Sequence, residues 1–354
     1  MKKVISLISF AFIFSSCILG IIDTHKYDEG RLPETPQNIS FLNTEFDDYN
    51  SALPSTLGAS FPMCFSTNRN SSGHDFDIIY KQLAIEFDRH NGNLSIFKED
   101  RTNLNVYIDN MYISNAPRVV NTPEDEFGPY LIKTNRKTTQ DGEYNYYTPY
   151  YLLYSSGIGG NQDIYVANNL LTTGFADPIK IDFLNSDFDD AYPSLNSISK
   201  SIVFASNREG KLNIYSIANK NPVIFNDIFY GENDNNVEKL EVLCSDYDDT
   251  CPQVYGKYIV FASNRPGGYG GYDLYYSEYE DGHWSEVINF GDKINSEYDE
   301  FRPVIRSMML FENDFMLFSS NRPGGKGAFD LYYVGIPKLD EYYFYGPSVD
   351  SYMQ

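Results

Sequence analysis

Cationic side chains are scarce in this sequence. Only 27 Lys and Arg stand against 49 Asp and Glu, which gives a formal net charge of -22. A surface with this excess of negative charge repels polyphosphates and anionic membrane faces, so we exclude a nucleic acid as partner. A cationic ligand, a basic protein patch or a divalent ion would be attracted instead.

The residues that most often build catalytic and metal sites are also few. The four His (His25, His74, His90 and His283) lack zinc-binding spacing, and no Gly-x-Ser-x-Gly elbow occurs. We therefore expect no enzyme, no metal site and no cofactor. Four Cys are present, of which Cys244 and Cys251 flank an acidic turn, where either a small disulfide loop or two separate thiols fit.

Long apolar runs are missing apart from Val4 to Phe14, which follows Lys2 and Lys3. This run is too short for a membrane-spanning helix but suits a secretory signal, and Ser15-Ser16-Cys17 resembles the lipobox of bacterial lipoproteins. We predict a lipoprotein signal peptide at 1–17 with lipid on Cys17. A flexible tether would follow at 18–37, a folded domain at 38–340 and a tail at 341–354.

Aromatic residues, in contrast, are abundant. The chain holds 31 Tyr and 25 Phe but only 7 Met, and its hydrophobic content of 42% is ample for a buried core. This bias favours strands over helices. We therefore expect a folded, mainly β domain.

Five copies of one unit organise the chain. In "IVFASNREGKLNIYS" (202–216), an apolar run precedes Ser-Asn-Arg, and a second run follows a loop rich in Gly, Pro, Asn and Ser. The other copies lie at 63–80, 152–167, 259–277 and 316–334. Each reads as two strands joined by a tight hairpin.

A second, acidic signature precedes each unit. It reads "NSDFDDAYP" from Asn185, and its other forms begin at Asn43, Asn121, Cys244 and Asn295. One more strand precedes it and another follows it, so each repeat supplies four antiparallel strands, which is typical of a β-propeller blade. We predict an all-β single propeller with five blades, or six if 93–113 hides a degenerate copy. The strand at 38–43 is expected to complete the last blade and close the ring.

These units resemble the WD40-like (PD40) repeats of the TolB-type propeller superfamily. The "SNRPGG" and "NS..DE..P" forms are similar to those in cell-envelope proteins of Bacteroidota. The resemblance covers nearly all of 38–336. It implies a protein of the cell envelope that is held to a membrane by its N-terminal lipid, on the periplasmic or surface face of the outer membrane.

Arg and Asp recur at the two borders of the hairpin loop. One residue type at one place in every blade usually serves the blade, so we predict that these residues satisfy turn amides or bridge neighbouring blades. The set is Arg69, Asp77, Asp163, Arg208, Asn213, Arg265, Asp273, Arg322 and Asp330.

The acidic pairs allow three interpretations. Asp189-Asp190 and its four counterparts most simply cap the turns between blades, although a calcium site is an alternative. A glycosidase needs two carboxyl groups in different environments, whereas five similar pairs offer symmetry. We therefore keep a five-bladed carbohydrate-active enzyme, with carboxylates near the propeller axis, as the alternative function.

Departures from the repeat are the best places to look for partner binding. The insertion at 133–151 is basic at its start and aromatic at its end, so we predict that Tyr144, Tyr146 and Tyr147 bind a partner or form a solvated hairpin. In the fourth hairpin, Tyr269 and Tyr272 differ from most residues at the same positions of the other copies, so they are also candidates for partner binding. The expected function is a non-enzymatic envelope scaffold for a protein or a glycan.

Overall fold

A computed structural model describes residues 26–54, 59–99, 113–133, 149–170, 174–196, 198–199, 201–218 and 236–339. The fold is a five-bladed β-propeller of antiparallel sheets, as the sequence predicts. The predicted signal peptide with Cys17, the start of the tether, the tyrosines at 144, 146 and 147 and the whole predicted tail lie outside the described residues. In the described part, no helix is long and apolar enough to cross a membrane.

The blades follow one another along the chain, each with its innermost strand first. Blade 1 holds β2 (Asp48–Ala52), β3 (Ser60–Thr67), β4 (Asp77–Asp88) and β5 (Asn93–Lys98). Blade 2 holds β6 (Glu126–Lys133), β7 (Tyr150–Ser156), β8 (Asp163–Asn168) and β9 (Ile179–Lys180). A short helix, α1 (Pro117–Val120), lies between these two blades in the chain.

The remaining blades keep the same order. Blade 3 holds β10 (Asp190–Asn196), β11 (Ser201–Ser206), β12 (Asn213–Ala218) and β13 (Val237–Lys239). Blade 4 holds β14 (Asp249–Tyr255), β15 (Tyr258–Ser263), β16 (Asp273–Glu280), β17 (His283–Trp284) and β18 (Ile288–Asn289). Blade 5 holds β19 (Glu300–Arg306), β20 (Asn313–Ser320) and β21 (Asp330–Pro337), and its outer strand is β1 (Gln37–Asn38).

Ring closure by the N-terminal strand is therefore confirmed. Gln37 pairs with Tyr333 and Asn38 with Tyr332, so the outer edge of blade 5 is covered by the start of the domain. The Asn38 side chain also donates to Asp330 Oδ2 at 2.9 Å. The chain ends of the domain are thus held in one sheet.

The second strand of each blade is buried on both faces because neighbouring blades cover it. In β11 all six residues are buried, and β20 and most of β3 and β15 show the same pattern. This explains why these strands read as continuous apolar runs rather than alternating ones. The core is divided into five clusters, each between two adjacent blades.

Candidate functional site

The acidic pairs and the hairpins between second and third strands lie on one face of the ring, which we call the top face. In each pair the first carboxylate accepts a backbone N–H from the hairpin of the preceding blade. Asp189 Oδ1, for example, is 2.9 Å from the amide nitrogen of Gln162. The equivalent contacts are Asp47–Phe329, Asp125–Phe76, Asp248–Leu212 and Asp299–Tyr272. These carboxylates join neighbouring blades.

The second acid of each pair is buried inside its own blade. Asp190 Oδ2 accepts from the amide and hydroxyl of Ser186 at 2.6 and 2.7 Å, and its Oδ1 accepts from Arg208 Nη2 at 2.5 Å. Arg208 also donates to the Leu184 carbonyl and packs over the Phe204 ring. The same ion pair joins Asp48 to Arg69, Asp249 to Arg265 and Glu300 to Arg322.

The acid at the other border of the hairpin makes different contacts. Asp273 accepts the amides of Tyr269 and Gly270 at 2.7 and 3.1 Å, and the side chain of Asn289 at 2.8 Å. Asp330 holds the amides of Lys326 and Gly327 in the same way. In the other blades, Asp77 accepts from Asn70, Asp163 pairs with Lys180, and Asn213 accepts from Lys211. The two border residues thus act separately: the Arg binds the buried acid, and the Asp or Asn binds hairpin amides or nearby side chains.

Blade 2 departs from this scheme at two neighbouring positions. Ile158 occupies the place of the arginine, and Gly157 that of the asparagine which precedes it in the other blades. Among the described residues, buried Glu126 therefore accepts only from Thr122 and Ser156, at 2.6 to 3.0 Å. Its burial raises the pKa of the Glu126 carboxyl to about 7, which the hydroxyl and amide donors oppose only in part.

The first acid of the pair in blade 2, Asp125, also has fewer hydrogen bonds than its counterpart in blade 3. Asp125 Oδ1 accepts the Phe76 amide at 2.8 Å, but Oδ2 has no hydrogen-bond partner among the described residues. In blade 3, Asp189 Oδ2 is instead bound by Asn207 Nδ2 at 2.7 Å. Two chemically different carboxyl groups therefore lie side by side in blade 2.

An aromatic cluster surrounds the top of the propeller axis. We call it the axial aromatic cluster, and its members are Tyr49, Phe76, Phe127, Tyr272, Phe301 and Phe329. Their ring centroids lie 4.4 to 6.2 Å apart, and each side chain is half-buried. Half-buried rings present an apolar face to a ligand without having to become ordered first. The cluster adjoins the unusual acids, because Asp125 holds the Phe76 amide and the Phe76 and Phe127 rings are 5.0 Å apart.

A second set of aromatic side chains lies in the acidic turns around this cluster. Phe188 and Tyr247 are 49% and 46% exposed, and Phe46 and Tyr298 occupy the same place in their own turns. Of the residues predicted to bind a partner, Tyr269 is 50% exposed on this face. Tyr272 belongs to the axial aromatic cluster and donates its hydroxyl to Asp248 at 3.0 Å.

The two cysteines of blades 3 and 4 do not form the disulfide loop that the sequence allowed. Cys244 and Cys251 carry separate thiols; Cys244 binds the backbone of Ile214, whereas Cys251 is buried on the innermost strand of blade 4. In the parts of the chain that the structure describes, no group of three or more His, Cys, Asp and Glu could hold a metal ion.

The opposite face carries an apolar cleft of about 680 Å³ between blades 5 and 1. Phe87, Met308 and Phe311 line it. The N-terminal chain packs beside it, since Gly30 donates to the Leu310 carbonyl at 2.7 Å and the Tyr27 ring contacts Phe87. The cleft lies away from the acidic pairs, so the top face is the better candidate site.

Sequence reasoning missed most of the axial aromatic cluster. It singled out Tyr272 but not Tyr49, Phe127 and Phe301, which directly follow the acidic pairs. A comparison of that one position across the five signatures gives Tyr, Phe, Ala, Thr and Phe, which would have shown the aromatic bias. The sequence also shows Ile158 where the other blades have arginine, but its effect on the pKa of Glu126 depends on burial, which the sequence does not display.

Comparison with solved structures places this propeller beside two groups of proteins. The endo-arabinase from Bacteroides thetaiotaomicron is 11% identical with a TM-score of 0.50, over 86% of this chain and 98% of that one. The α-L-arabinofuranosidase from Podospora anserina is 11% identical, with a TM-score of 0.47, over 87% and 97% of the two chains. TolB from Acinetobacter baumannii is 11% identical, with a TM-score of 0.34, over 82% of this chain and 55% of that one.

No family model and no curated protein sequence matches the chain. The likenesses above are remote, so they show a shared fold. Within that limit they correct one expectation: the inference from the sequence that the chain is not an enzyme is wrong, because the same five-bladed arrangement is found in glycoside hydrolases. The solved structures that resemble this chain also include TolB proteins.

Proposed function

We propose that this protein is a carbohydrate-active propeller that engages a glycan on its top face, over the axial aromatic cluster. Sugar rings present apolar C–H faces that pack on aromatic side chains, and their hydroxyl groups donate to carboxylates. One observation carries the proposal. In blade 2 alone the acidic pair lacks the arginine and the asparagine that follow the second strand in the other blades, and this pair adjoins Phe76 and Phe127 of the cluster.

Glycan binding is tested by array screening and calorimetry with arabinan, xylan and peptidoglycan fragments. Tyr49 contacts four other rings of the cluster, so Tyr49→Leu removes the centre of the platform while keeping an apolar side chain. We expect binding to weaken about tenfold or more, which corresponds to about 1.4 kcal/mol.

The matched control is Tyr279→Leu, which removes an aromatic contact with Trp284 at the outer edge of blade 4. It should bind the same glycan as tightly as the wild type. Equal weakening in both variants, or no glycan bound by the wild type, would contradict the proposal.

Hydrolysis of the bound glycan is the second candidate function, favoured by the two carboxyl groups of blade 2. Glycoside hydrolysis uses one protonated and one ionised carboxyl group, and efficient proton transfer needs a pKa near the working pH. The pKa of Glu126, raised by burial to about 7, meets that condition. Asp125, which is only half-buried and has one oxygen without a partner among the described residues, is the group that would contact the sugar.

Cleavage is tested by measuring reducing ends released from the glycans that bind. Asp125→Asn should abolish release, whereas Asp189→Asn, the same change in blade 3, should retain it. Loss of activity in both variants would indicate a structural role for the acidic turns. Wild-type protein that binds but releases no reducing ends would leave binding as the function.

We further propose that the protein acts in the cell envelope, held there by lipid on Cys17. The support is the sequence alone: Lys2 and Lys3, the apolar run after them and Ser15-Ser16 before the cysteine. Cys17→Ala should move the protein from the detergent phase to the aqueous phase. Unchanged partitioning would refute the anchor. The predicted binding by Tyr144, Tyr146 and Tyr147 is tested in the same way as the glycan platform, by a triple substitution and capture of envelope components.

A further inference from the structure

The five innermost strands carry an irregularity at one shared position. Each strand shifts register against its neighbour just after the acidic pair, and the residue at the shift has a positive φ angle. The five residues are Asn50, Gly128, Tyr192, Cys251 and Arg302. Because the innermost strands surround the axis, these residues form a ring around it, which we call the bulge ring.

Arg302 is the only cation of this ring, and its side chain is completely buried (0% exposed). It crosses the axis: Nη1 donates to the Pro252 carbonyl of blade 4 at 3.3 Å and Nη2 to the Pro129 carbonyl of blade 2 at 3.0 Å. Its Nε–H has no acceptor, and no carboxylate of the described residues lies within 4 Å. Burial accordingly lowers the pKa of this guanidinium.

A buried ion without a counter-ion is costly, and in folded proteins such charges are paired. The four arginines that recur in the hairpins follow that rule, since each binds a buried Asp or Glu. Two proline carbonyls supply hydrogen bonds to Arg302 but no full negative charge. No carboxylate of the described residues therefore compensates this positive charge at the axis.

A second unsatisfied group lies in the same ring. The Asn50 side chain is fully buried, and neither its Nδ2 nor its Oδ1 has a hydrogen-bond partner among the described residues. Burial raises the pKa of Tyr192 well above its usual value, and the nearby Asn50 amide opposes that rise. The central carbon of the Arg302 guanidinium lies 5.8 Å from the centre of the Tyr192 ring, so Arg302 and Asn50 both lie beside Tyr192.

We propose that the bulge ring binds a small monovalent anion, of the size of chloride, at the propeller axis. The Arg302 guanidinium supplies the charge, and the Asn50 amide supplies a further donor. The anion would complete the ring as a structural counter-ion, so it should stabilise the fold.

The test compares thermal unfolding of the full chain in sodium chloride and in sodium gluconate at equal ionic strength. We expect the Tm of the wild type to rise saturably with chloride, by about 2–4 °C at saturation. Arg302→Met should abolish this rise. The matched control is Arg322→Met, which breaks an ion pair on the top face and should lower Tm while keeping the chloride response.

Asn50→Asp provides a test that does not depend on Arg302→Met folding well. The new carboxylate would act as a built-in counter-ion, so this variant should be as stable in gluconate as the wild type is in chloride, and should no longer respond to chloride. Bromide soaked into crystals should give an anomalous peak beside Arg302. An equal Tm of the wild type in both salts, or a chloride response that survives in Asn50→Asp, would overturn the proposal.

Discussion

Blades 2 and 3 are built from the same repeat, but they satisfy the buried acid of the innermost strand in different ways. In blade 3, Asp190 is bound by a serine and by Arg208. In blade 2, Glu126 has hydroxyl and amide donors only, and Ile158 stands where the arginine would be. The backbone course is the same in both blades, so the fold does not require the cation.

Blade 5 shows that the longer acid is not the cause of the difference. Glu300 is as deeply buried as Glu126 and accepts from a serine in the same way. Burial raises its pKa too, but there Arg322 acts in the opposite direction. The unusual chemistry of blade 2 therefore comes from the missing arginine. Where the arginine is absent, burial raises the pKa of the acid to about 7 and no ion pair opposes that rise.

The largest loss of stability is expected when the arginine that binds the buried acid is removed from a blade that has one. Arg208→Ala leaves Asp190 buried with an uncompensated charge, so the free energy of unfolding should fall by about 3–5 kcal/mol. Ile158→Ala, at the same position of blade 2, changes an exposed apolar side chain and should cost less than about 1 kcal/mol. Urea denaturation measures both. Similar losses in the two variants would show that the blades do not differ as described.

The next effect is on the pH dependence of stability. The pKa of Glu126 is about 7 in the fold and 4.5 in the unfolded chain. Between these values the folded state keeps a proton that the unfolded state has lost, so stability falls as pH rises from about 4.5 to about 7 and stays reduced above it. Glu126→Gln removes this titration and should flatten the profile by about 3 kcal/mol.

The informative quantity is the slope of the unfolding free energy against pH. A glutamine amide beside the Thr122 N–H also changes the stability, but it does so equally at every pH. Unfolding free energies at several pH values between 4 and 8 give that slope. The exposed variant Glu297→Gln serves as the control and should keep the wild-type slope. A Glu126→Gln profile parallel to the wild type would exclude Glu126 as the titrating group.

A smaller change in stability is expected when blade 2 is given the arginine that the other four blades have. Ile158→Arg supplies the missing cation, which should stabilise the protein by about 1–2 kcal/mol at pH 8 and bring the pKa of Glu126 down. Ile158→Lys is the matched control, because a lysine cannot contact the acid, the serine and the turn carbonyl together as Arg208 does. A gain of equal size for lysine would indicate a general charge effect.

The fold could be predicted almost entirely from the sequence. The apolar runs before Ser-Asn-Arg are continuous because neighbouring blades cover both of their faces, and this pattern survives in all five copies. The sequence at 38–49 (NISFLNTEFDDY) matches the sequence at 180–191 (KIDFLNSDFDDA), which contains an outer strand and an acidic signature. This match predicts the closing strand. The bulge ring was not foreseen, since a register shift depends on pairing between strands that no single repeat displays.

The site could be predicted only in part, for a physical reason. The sequence shows that blade 2 lacks an arginine, but the consequence depends on how deeply Glu126 is buried, which is a property of packing. Likewise, the aromatic side chains of Tyr49, Phe127 and Phe301 come from three blades and meet only when the ring closes. Contacts between side chains of different repeats cannot be predicted by aligning the repeats with one another.

The smallest expected change in stability distinguishes Asp125 of blade 2 from Asp189 of blade 3, the first acids of their pairs. In blade 3, Asp189 Oδ2 accepts from Asn207, so in Asp189→Asn an amide would face an amide, at a cost of about 1 kcal/mol. In blade 2, an asparagine at 125 can keep its oxygen on the Phe76 amide and direct its NH₂ toward the side where no partner lies. Asp125→Asn should therefore lower the free energy of unfolding by less than about 0.5 kcal/mol in urea denaturation. If it instead costs as much as Asp189→Asn, Asp125 is a structural acid like the others. If it costs little and still abolishes reducing-end release, the loss belongs to the chemistry of blade 2, because the fold has not changed.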